Sequence, residues 1–352
     1  MKKKILIWLV CILSLAVLVY FGAVAYMHLV DQSQMDETVY HVYSDKLVAD
    51  VRIVFLTDLH LSEFGENNSQ LLHRVRLLHP DLILIGGDMN KRQVDDHSIV
   101  LSLCVALQEI APVYYGLGNH EISRMLSHER QIYNDIVATG VTVLHNTVEE
   151  VHVNENIFYI GGVSQAGEED IGKYSGGVIE KLAQEEGFKL MLSHYPSNYD
   201  LIFPHDIDLV LSGHLHGGQV VLPYLNGLYS LDSGFFPKYS QGRFDQEGTT
   251  MIVGRGLGNS HRIPRVNNRP ELVVVDIYCT TVSYNANHIF SEHDKNVAIL
   301  TEWLNTLSHE DVEIASNNML MLMLMEKQSQ ISDILTQSLS STAPPTTTEP
   351  PQ

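Results

Sequence analysis

Potential metal ligands recur along the sequence, each directly after a short apolar run. They are carboxylates, an amide and imidazoles in five ordered blocks: Asp58-Leu59-His60, Gly86-Gly87-Asp88, Gly118-Asn119-His120-Glu121, His194 and Gly213-His214-Leu215-His216. Gathering such groups in one place would be costly without a cation that neutralises and coordinates them. Nitrogen and oxygen ligands without thiolate suit Mn, Fe or Zn. The blocks therefore predict a metal centre, provided that the fold brings them together.

The apolar runs before these blocks have the length and residue types of β-strands. They are Val51–Thr57, Leu82–Gly87, Val113–Gly118, Lys189–Ser193 and Leu209–Gly213. Between them, Ser69–Leu78 and Ser98–Ile110 have helical apolar spacing, and Pro80 and Pro112 end these segments. This alternation indicates an α/β domain, in which the carboxyl ends of the strands gather functional residues.

Later apolar runs predict additional strands at 157–162, 250–253 and 272–278. We expect these strands to lie in a second sheet layer. The sequence contains no visible internal repeat.

The five blocks resemble the calcineurin-like metallophosphoesterase family, whose pattern is D-x-H, G-D, G-N-H-[DE], H and G-H-x-H in that order. The resemblance covers residues 51–277. Three further segments, at 217–219, 234–239 and 255–272, are similar to the membrane-anchored bacterial branch of the family. The resemblance implies a four-layer α/β/β/α sandwich and a dinuclear metal-dependent phosphoesterase.

The resemblance also implies which residues hold two divalent metal ions, without choosing among Mn, Fe and Zn. One ion would be bound by Asp58, His60, Asp88 and His216, and the other by Asp88, Asn119, His194 and His214. Asp88 would bridge them, since two neighbouring cations need a shared anionic ligand. A metal-bridging hydroxide would then attack phosphorus.

His120 is the predicted catalytic residue, again by resemblance. It would face the substrate and donate a proton to the leaving oxygen, or it would only shape the Asn119 turn. Glu121 would either orient an imidazole or be solvated. Lys91 and Arg92 fit a solvated loop, which we favour, or contact with an anionic substrate.

The favoured function is hydrolysis of phosphate mono- or diesters, because every expected ligand and His120 are present. Three alternatives stay open. They are a noncatalytic metal-stabilised binding scaffold on the same fold, a single-metal structural protein, and a pyrophosphate hydrolase of a lipid-linked or nucleotide-sugar substrate.

The excess of acidic over basic residues limits which molecules the chain could bind. The chain has 42 acidic residues against 22 Lys and Arg, a formal net charge of −20. Such a chain repels polyphosphate backbones, which argues against nucleic acid. We expect a small-molecule, lipid-linked or cell-envelope phosphoester as substrate and no obligate protein partner.

The amino terminus predicts a membrane anchor. Three lysines precede residues 5–30, which carry no charged side chain. A membrane-spanning helix needs about 20 apolar residues, and its positively charged flank stays in the cytoplasm. We therefore expect a cytoplasmic segment 1–4, a transmembrane helix 5–30 and a linker 31–50. The protein would be single-pass in the cell membrane with an extracytoplasmic catalytic domain. The alternative is a cleaved signal peptide, because Ala23-Val24-Ala25 reads as a cleavage site.

The catalytic domain is expected to span residues 51–290. Beyond it, the acidic residues of 291–339 outnumber its two lysines, Met and Leu alternate at 319–325, and we predict a helical extension there. Residues 340–352 are rich in Pro and Thr and predict a disordered tail.

Overall fold

The structure is a computed structural model of the chain. It describes residues 34–127, 131–164, 168–222, 226–230, 233–259 and 265–280, with isolated positions between 4 and 22. The chain divides into two units, Met1–Tyr284 and Asn285–Gln352, and all described residues lie in the first. The expected helical extension and disordered tail, 291–339 and 340–352, lie outside the described residues.

The described residues alternate strands with helices, as the sequence pattern predicts. The strands are β1 (Asp36–Ser44), β2 (Val51–Leu56), β3 (Leu82–Ile85), β4 (Val113–Gly116), β5 (Thr142–Leu144), β6 (Thr147–Val153), β7 (Asn156–Val163), β8 (Phe188–Ser193), β9 (Leu209–Ser212), β10 (Val221–Leu222), β11 (Asn226–Gly227), β12 (Tyr229–Ser230), β13 (Gly234–Phe235), β14 (Gly242–Gln246), β15 (Thr249–Val253) and β16 (Glu271–Cys279). The helices are α1 (Ser69–Leu77), α2 (Ser98–Gln108), α3 (Asn119–Ser127), α4 (Gln131–Ala138), α5 (Glu168–Tyr174), α6 (Val178–Ala183) and α7 (Tyr199–Ile202). Short 3-10 turns occur at Glu66–Asn68, Pro196–Asn198, Phe203–His205 and His216–Gly218.

The first sheet carries three of the five blocks to one edge. Its strand order is β1-β16-β2-β3-β4-β5. Strands β2 to β5 run parallel, so the carboxyl ends of β2, β3 and β4 share an edge. Asp58, Asp88 and Asn119 follow these three strands within three residues.

Strand β16 completes the first sheet from a distant part of the chain. It pairs antiparallel with β2 and parallel with β1, and all nine of its residues are buried. The prediction that residues 272–278 belong to a second sheet layer is therefore wrong, because their backbone forms hydrogen bonds with β2 of the first sheet. Strand β1 lies within residues 31–50, the expected linker.

The second sheet carries the other two blocks. Its order is β14-β15-β9-β8-β7-β6, with β15, β9, β8 and β7 parallel and the two edge strands antiparallel. His194 directly follows β8, and His214 follows β9 after one glycine. Both sheets are mixed, and the predicted α/β class is confirmed.

Three apolar clusters hold the elements together. The central cluster joins the inner faces of the two sheets and includes Phe55 from the first and Phe158 and Leu211 from the second, all 0% exposed. A second cluster packs α1, α2 and α4 on the first sheet, and a third packs α6 and α7 on the second. Each fully buried large apolar side chain contributes about 1.5–3 kcal/mol, so the paired sheets form a firm platform for their loops.

The predicted localisation has to be corrected. Nowhere in the part of the chain that the structure describes is a helix long and apolar enough to cross a membrane. The longest helix described there, α2, has 11 residues, about half of the ~20 that a span requires. Most of residues 5–30 lie outside the described residues. We withdraw the prediction of a single-pass membrane protein.

Candidate metal centre

The loops that follow the strands turn sharply at the predicted ligands. Asp58, His60, Asp88, His214 and His216 have φ values of 54°, 46°, 53°, 72° and 48°. This left-handed region is uncommon for residues other than glycine, and such strain gathers at functional sites. The first loop is fixed by backbone hydrogen bonds, in which the Asp58 and His60 N–H groups donate to the carbonyls of Gly87 and Asp88 at 2.9 and 3.1 Å.

Two glycines let blocks from different strands approach closely. A Cβ on Gly118 would lie 2.3 Å from Asp88 Oδ1, and a Cβ on Gly213 would lie 2.3 Å from Asp58 Oδ2. Any larger residue would force these carboxylates away. The second contact also joins the two sheets, because Asp58 Oδ2 accepts the His214 N–H at 2.9 Å.

One cluster consists of Asp58, His60 and His216. His60 Nε2 and His216 Nε2 are 3.2 Å apart and lie 3.7 and 3.6 Å from Asp58 Oδ1. Asp58 Oδ1 is buried and has no hydrogen-bond partner among the described residues. A buried carboxylate oxygen without a donor is costly, and a cation among these three atoms would satisfy it.

The second cluster consists of Asp88, His194, His214 and Asn119. His194 Nε2 lies 3.3 Å from Asp88 Oδ2 and 3.2 Å from His214 Nδ1. One polar atom of the Asn119 amide faces all three, at 3.1 Å from Asp88 Oδ2, 3.1 Å from His214 Nδ1 and 3.2 Å from His194 Nε2. Ligands about 2.1 Å from one ion are separated by ~3.0–3.4 Å, so four atoms fit a single cation.

The orientation of the Asn119 amide depends on whether a cation is bound. Without one, hydrogen bonding points its NH2 at Asp88 Oδ2 and His214 Nδ1, which accept. A bound cation would need an oxygen ligand there, so the amide oxygen would then face the cluster.

Asp88 lies between the clusters. Its Oδ2 is 3.3 Å from His194 Nε2 and 3.9 Å from His60 Nε2, and its Oδ1 accepts the His120 N–H at 2.8 Å. The Asp88 carboxylate thus lies close to potential metal-ligand atoms of both clusters.

Backbone carbonyls select the ring nitrogens that can bind metal. His194 Nδ1 lies 2.8 Å from Gly86 O, and His60 Nδ1 lies 3.1 Å from Asn90 O. A carbonyl only accepts, so each Nδ1 carries the proton and each Nε2 presents its lone pair to the site.

The electrostatics match a cation site. Burial raises the pKa of Asp58, but the imidazoles of His216, His60 and His194 outweigh it and hold the pKa well below its usual range. Burial lowers the pKa of His194, but Asp88 outweighs it and raises the pKa to about 10. The carboxylates therefore draw a proton onto His194 when no metal is bound, and a divalent cation would replace that charge.

Comparison with known proteins shows what part of the chain is similar to. Residues 51–218, just under half of the chain, match the family model for calcineurin-like phosphoesterases. The Asp and His clusters within this match suit the two divalent ions that proteins of that family bind.

The chain is similar to several named bacterial proteins. The chain is 29% identical over 240 residues to the uncharacterized metallophosphoesterase Cj0846 of Campylobacter jejuni, covering 66% of this chain and 60% of that protein. It is 26% identical over 234 residues to the phosphodiesterase YaeI of Escherichia coli, covering 65% and 83%. It thus spans about 60% of the first relative's length. These names support the family and not its membrane-anchored bacterial branch.

A solved 5'-nucleotidase precursor of Thermus thermophilus is 13% identical, with a TM-score of 0.39 over 73% of this chain and 59% of that one. A TM-score below 0.5 supports no argument about function.

The predicted catalytic residue, His120, lies beside both clusters. His120 is 8% exposed, and its Nε2 is 3.9 Å from Asp88 Oδ2. Its Nδ1 is 3.1 Å from Asn90 O and 3.2 Å from the Arg92 N–H. Burial lowers the pKa of His120 to about 4, although Asp88 opposes the shift, so the free imidazole is neutral at pH 7.

Glu121 has a role that neither sequence interpretation anticipated. It is 0% exposed, and its Oε2 accepts the Asp88 and Gly118 N–H groups at 2.8 and 3.0 Å. Its Oε1 accepts the Asn90 N–H at 3.2 Å and the Tyr115 hydroxyl at 3.1 Å. Glu121 thus ties the Asp88 loop to the Asn119 turn. The sequence feature that could have indicated this role is that Glu121 is an acidic residue within the third block.

Arg265 was also missed. It is 0% exposed, and its Nη2 lies 3.1 Å from His216 Nδ1. No local motif marks this arginine, because its burial depends on loops from other parts of the chain.

Proposed function

We propose that this chain hydrolyses phosphate monoesters or diesters in a reaction that depends on two divalent cations. The observation that carries the proposal is the convergence of seven donor residues on two clusters that share Asp88, with His120 beside them. A structural metal site would be closed and would have no use for a titratable group at its edge.

In this proposal, all seven residues are metal ligands. One cation would be held by Asp58, His60, Asp88 and His216, and the other by Asp88, Asn119, His194 and His214. When bound, the ions supply charge neutralisation for the phosphoryl oxygens and a nucleophile that is available at neutral pH. Asp88, as an anionic residue shared by both sites, would limit the repulsion between the two ions.

His120 acts on the leaving oxygen. Its backbone N–H is held by Asp88 Oδ1, which places the ring at the edge of both clusters. The ring is neutral in the free protein; a bound phosphate anion would raise its pKa, so that the ring takes a proton from water and becomes the imidazolium acid. The proton then passes to the departing alkoxide.

The substrate class that we propose is a small-molecule phosphoester. The formal net charge of −20 works against binding of nucleic acid, and nothing in the proposal requires a protein partner. Lipid-linked and cell-envelope phosphoesters, also expected from the sequence, belong to the same proposed substrate class.

The test is hydrolysis of 4-nitrophenyl phosphate by the purified full chain, with bound metal counted in the same preparation. We expect two ions per chain, loss of activity on chelation and recovery with Mn. A chain that binds two ions and hydrolyses neither monoesters nor diesters would favour the binding scaffold. Activity that survives complete removal of metal would contradict the proposal.

A further inference from the structure

The turn that carries His216 has a strained backbone. Its four consecutive residues, His216 to Gln219, have φ values of 48°, 63°, 74° and 52°. The two central residues, Gly217 and Gly218, adopt such angles freely, whereas the side chains of His216 and Gln219 disfavour them. A turn of this shape needs support from other parts of the chain, because two of its own residues favour different backbone angles.

Gln219 departs furthest from the usual backbone angles. Its φ of 52° and ψ of −57° place it at the centre of a three-residue γ-turn, in which the Val220 N–H donates to Gly218 O. This γ-turn is rare and strained for a residue with a side chain. The Gln219 N–H also donates to His216 O at 3.1 Å, so the strained residue is bonded directly to the potential metal ligand.

Asn268 joins the two ends of this turn from a distant part of the sequence. Its Nδ2 donates to His216 O at 2.7 Å and to Gln219 O at 3.1 Å. Asn268 is 0% exposed, so water does not compete for these two hydrogen bonds. Its Oδ1 would lie 2.8 Å from a Cβ on Gly217, so the amide packs closely against the middle of the turn as well.

The position of the His216 ring depends on the shape of the turn. His216 Nε2 lies 3.6 Å from Asp58 Oδ1 and 3.2 Å from His60 Nε2 while its φ is 48°. A change to the ordinary negative range of φ would redirect the bond from Cα to Cβ and carry the imidazole away from these two atoms. The cluster of Asp58, His60 and His216 would then lose one of its members.

We propose that Asn268 is a positioning residue for this cluster: it holds the His216 turn in its left-handed shape, so that the cluster can bind its cation. The inference rests on the proposed function, because it concerns one of the two ions. The second cluster contains no residue of the turn. Asn268 therefore controls whether the chain holds one ion or two.

The experiment counts bound Mn and measures its Kd by calorimetry on the full chain. Asn268→Leu keeps a side chain of similar size and removes both donated hydrogen bonds. The control, Asn267→Asp, changes the neighbouring exposed amide, which donates to Val221 O at 3.2 Å. We expect Asn268→Leu to weaken one of the two Mn-binding steps about 10–10²-fold, because two buried hydrogen bonds are lost, and to leave the other step within about 2-fold. The control should bind two ions like the wild type.

A spectroscopic signature and a rescue separate positioning from a general loss of stability. Two Mn ions that share Asp88 should give the electron paramagnetic resonance spectrum of a coupled pair, and Asn268→Leu with one ion should give that of an isolated ion. Gln219→Gly removes the side chain that disfavours the γ-turn, so the double variant should recover part of the lost Mn affinity. If Asn268→Leu does not fold, Asn268→Ser, which keeps one donor, should show a smaller loss in the same binding step.

Equal weakening of both binding steps, two ions bound with wild-type affinity in the Asn268 variants, or no recovery with Gln219→Gly would overturn the inference. If the wild-type chain binds two ions and hydrolyses neither monoesters nor diesters, the proposed function fails, and the metal count still decides the role of Asn268.

Discussion

Replacing Glu121 with glutamine tests whether this buried carboxylate organises the metal centre. The wild-type carboxylate accepts four hydrogens at 2.8–3.2 Å, two on each oxygen, from Asp88, Gly118, Asn90 and Tyr115. Glu121→Gln preserves the shape and converts one oxygen to NH2. With the NH2 at the Oε2 position, the two N–H donors of Asp88 and Gly118 face a donor. With the NH2 at the Oε1 position, the Asn90 N–H faces a donor, whereas the Tyr115 hydroxyl can turn to accept.

The magnitude follows from the lost bonds. A hydrogen bond to a charged group contributes about 1.5–3 kcal/mol, so losing one or two costs ~1.5–6 kcal/mol. Removing a buried negative charge beside Asp88 offsets part of this cost. We expect the free energy of unfolding to fall by about 2–4 kcal/mol and the Tm by roughly 5–15 °C for a domain of this size.

The assay is thermal and urea unfolding of the full chain in excess chelator, so that metal binding does not contribute to stability. Glu109→Gln is the control, because that side chain is 70% exposed and should change stability by less than about 0.5 kcal/mol. A free energy of unfolding of Glu121→Gln within about 0.5 kcal/mol of the wild-type value would refute the prediction. The four contacts would then contribute no net stability.

Three further outcomes are expected. Asp88→Asn should lose metal from both clusters and nearly all activity, since it removes the shared charge; metal analysis that still finds two ions would exclude the bridge. His120→Ala should keep both ions and lose about 10²–10⁴-fold in kcat, with a smaller loss for esters with good leaving groups; equal losses across leaving groups would argue against proton donation. The metal-free chain should lose stability as pH rises from about 6.5 to 10, because the folded-state pKa of His194 is raised to about 10 and the folded state binds the extra proton in that window. The metal-loaded chain should lack this slope in Tm, and an identical slope in both forms would contradict the assigned cause.

Local patterns were sufficient for the elements that carry the site. The helix predicted at 69–78 is observed at Ser69–Leu77, and the one predicted at 98–110 at Ser98–Gln108. Apolar spacing and the prolines after each helix are properties of a few consecutive residues, so they are readable without the fold. Strands that end in potential metal ligands can likewise be recognised from a few consecutive residues.

The pairing of strands that are distant in the sequence could not be predicted from such local patterns. Strand β16 lies between β1 and β2, and its position depends on backbone bonds to residues more than 200 positions away. An apolar run is equally compatible with either sheet, because burial on both faces has the same sequence signature in each.

Sequence alone determined which side chains could form a metal centre, because each block combines a strand end with residue types that bind cations. Only the tertiary structure decided how those residues are supported. Glu121 became a four-way acceptor, and Arg92 came to face Asn119, through the meeting of the loops after β3 and β4. The role of a polar group depends on the donors and acceptors around it, and here those partners come from other strands.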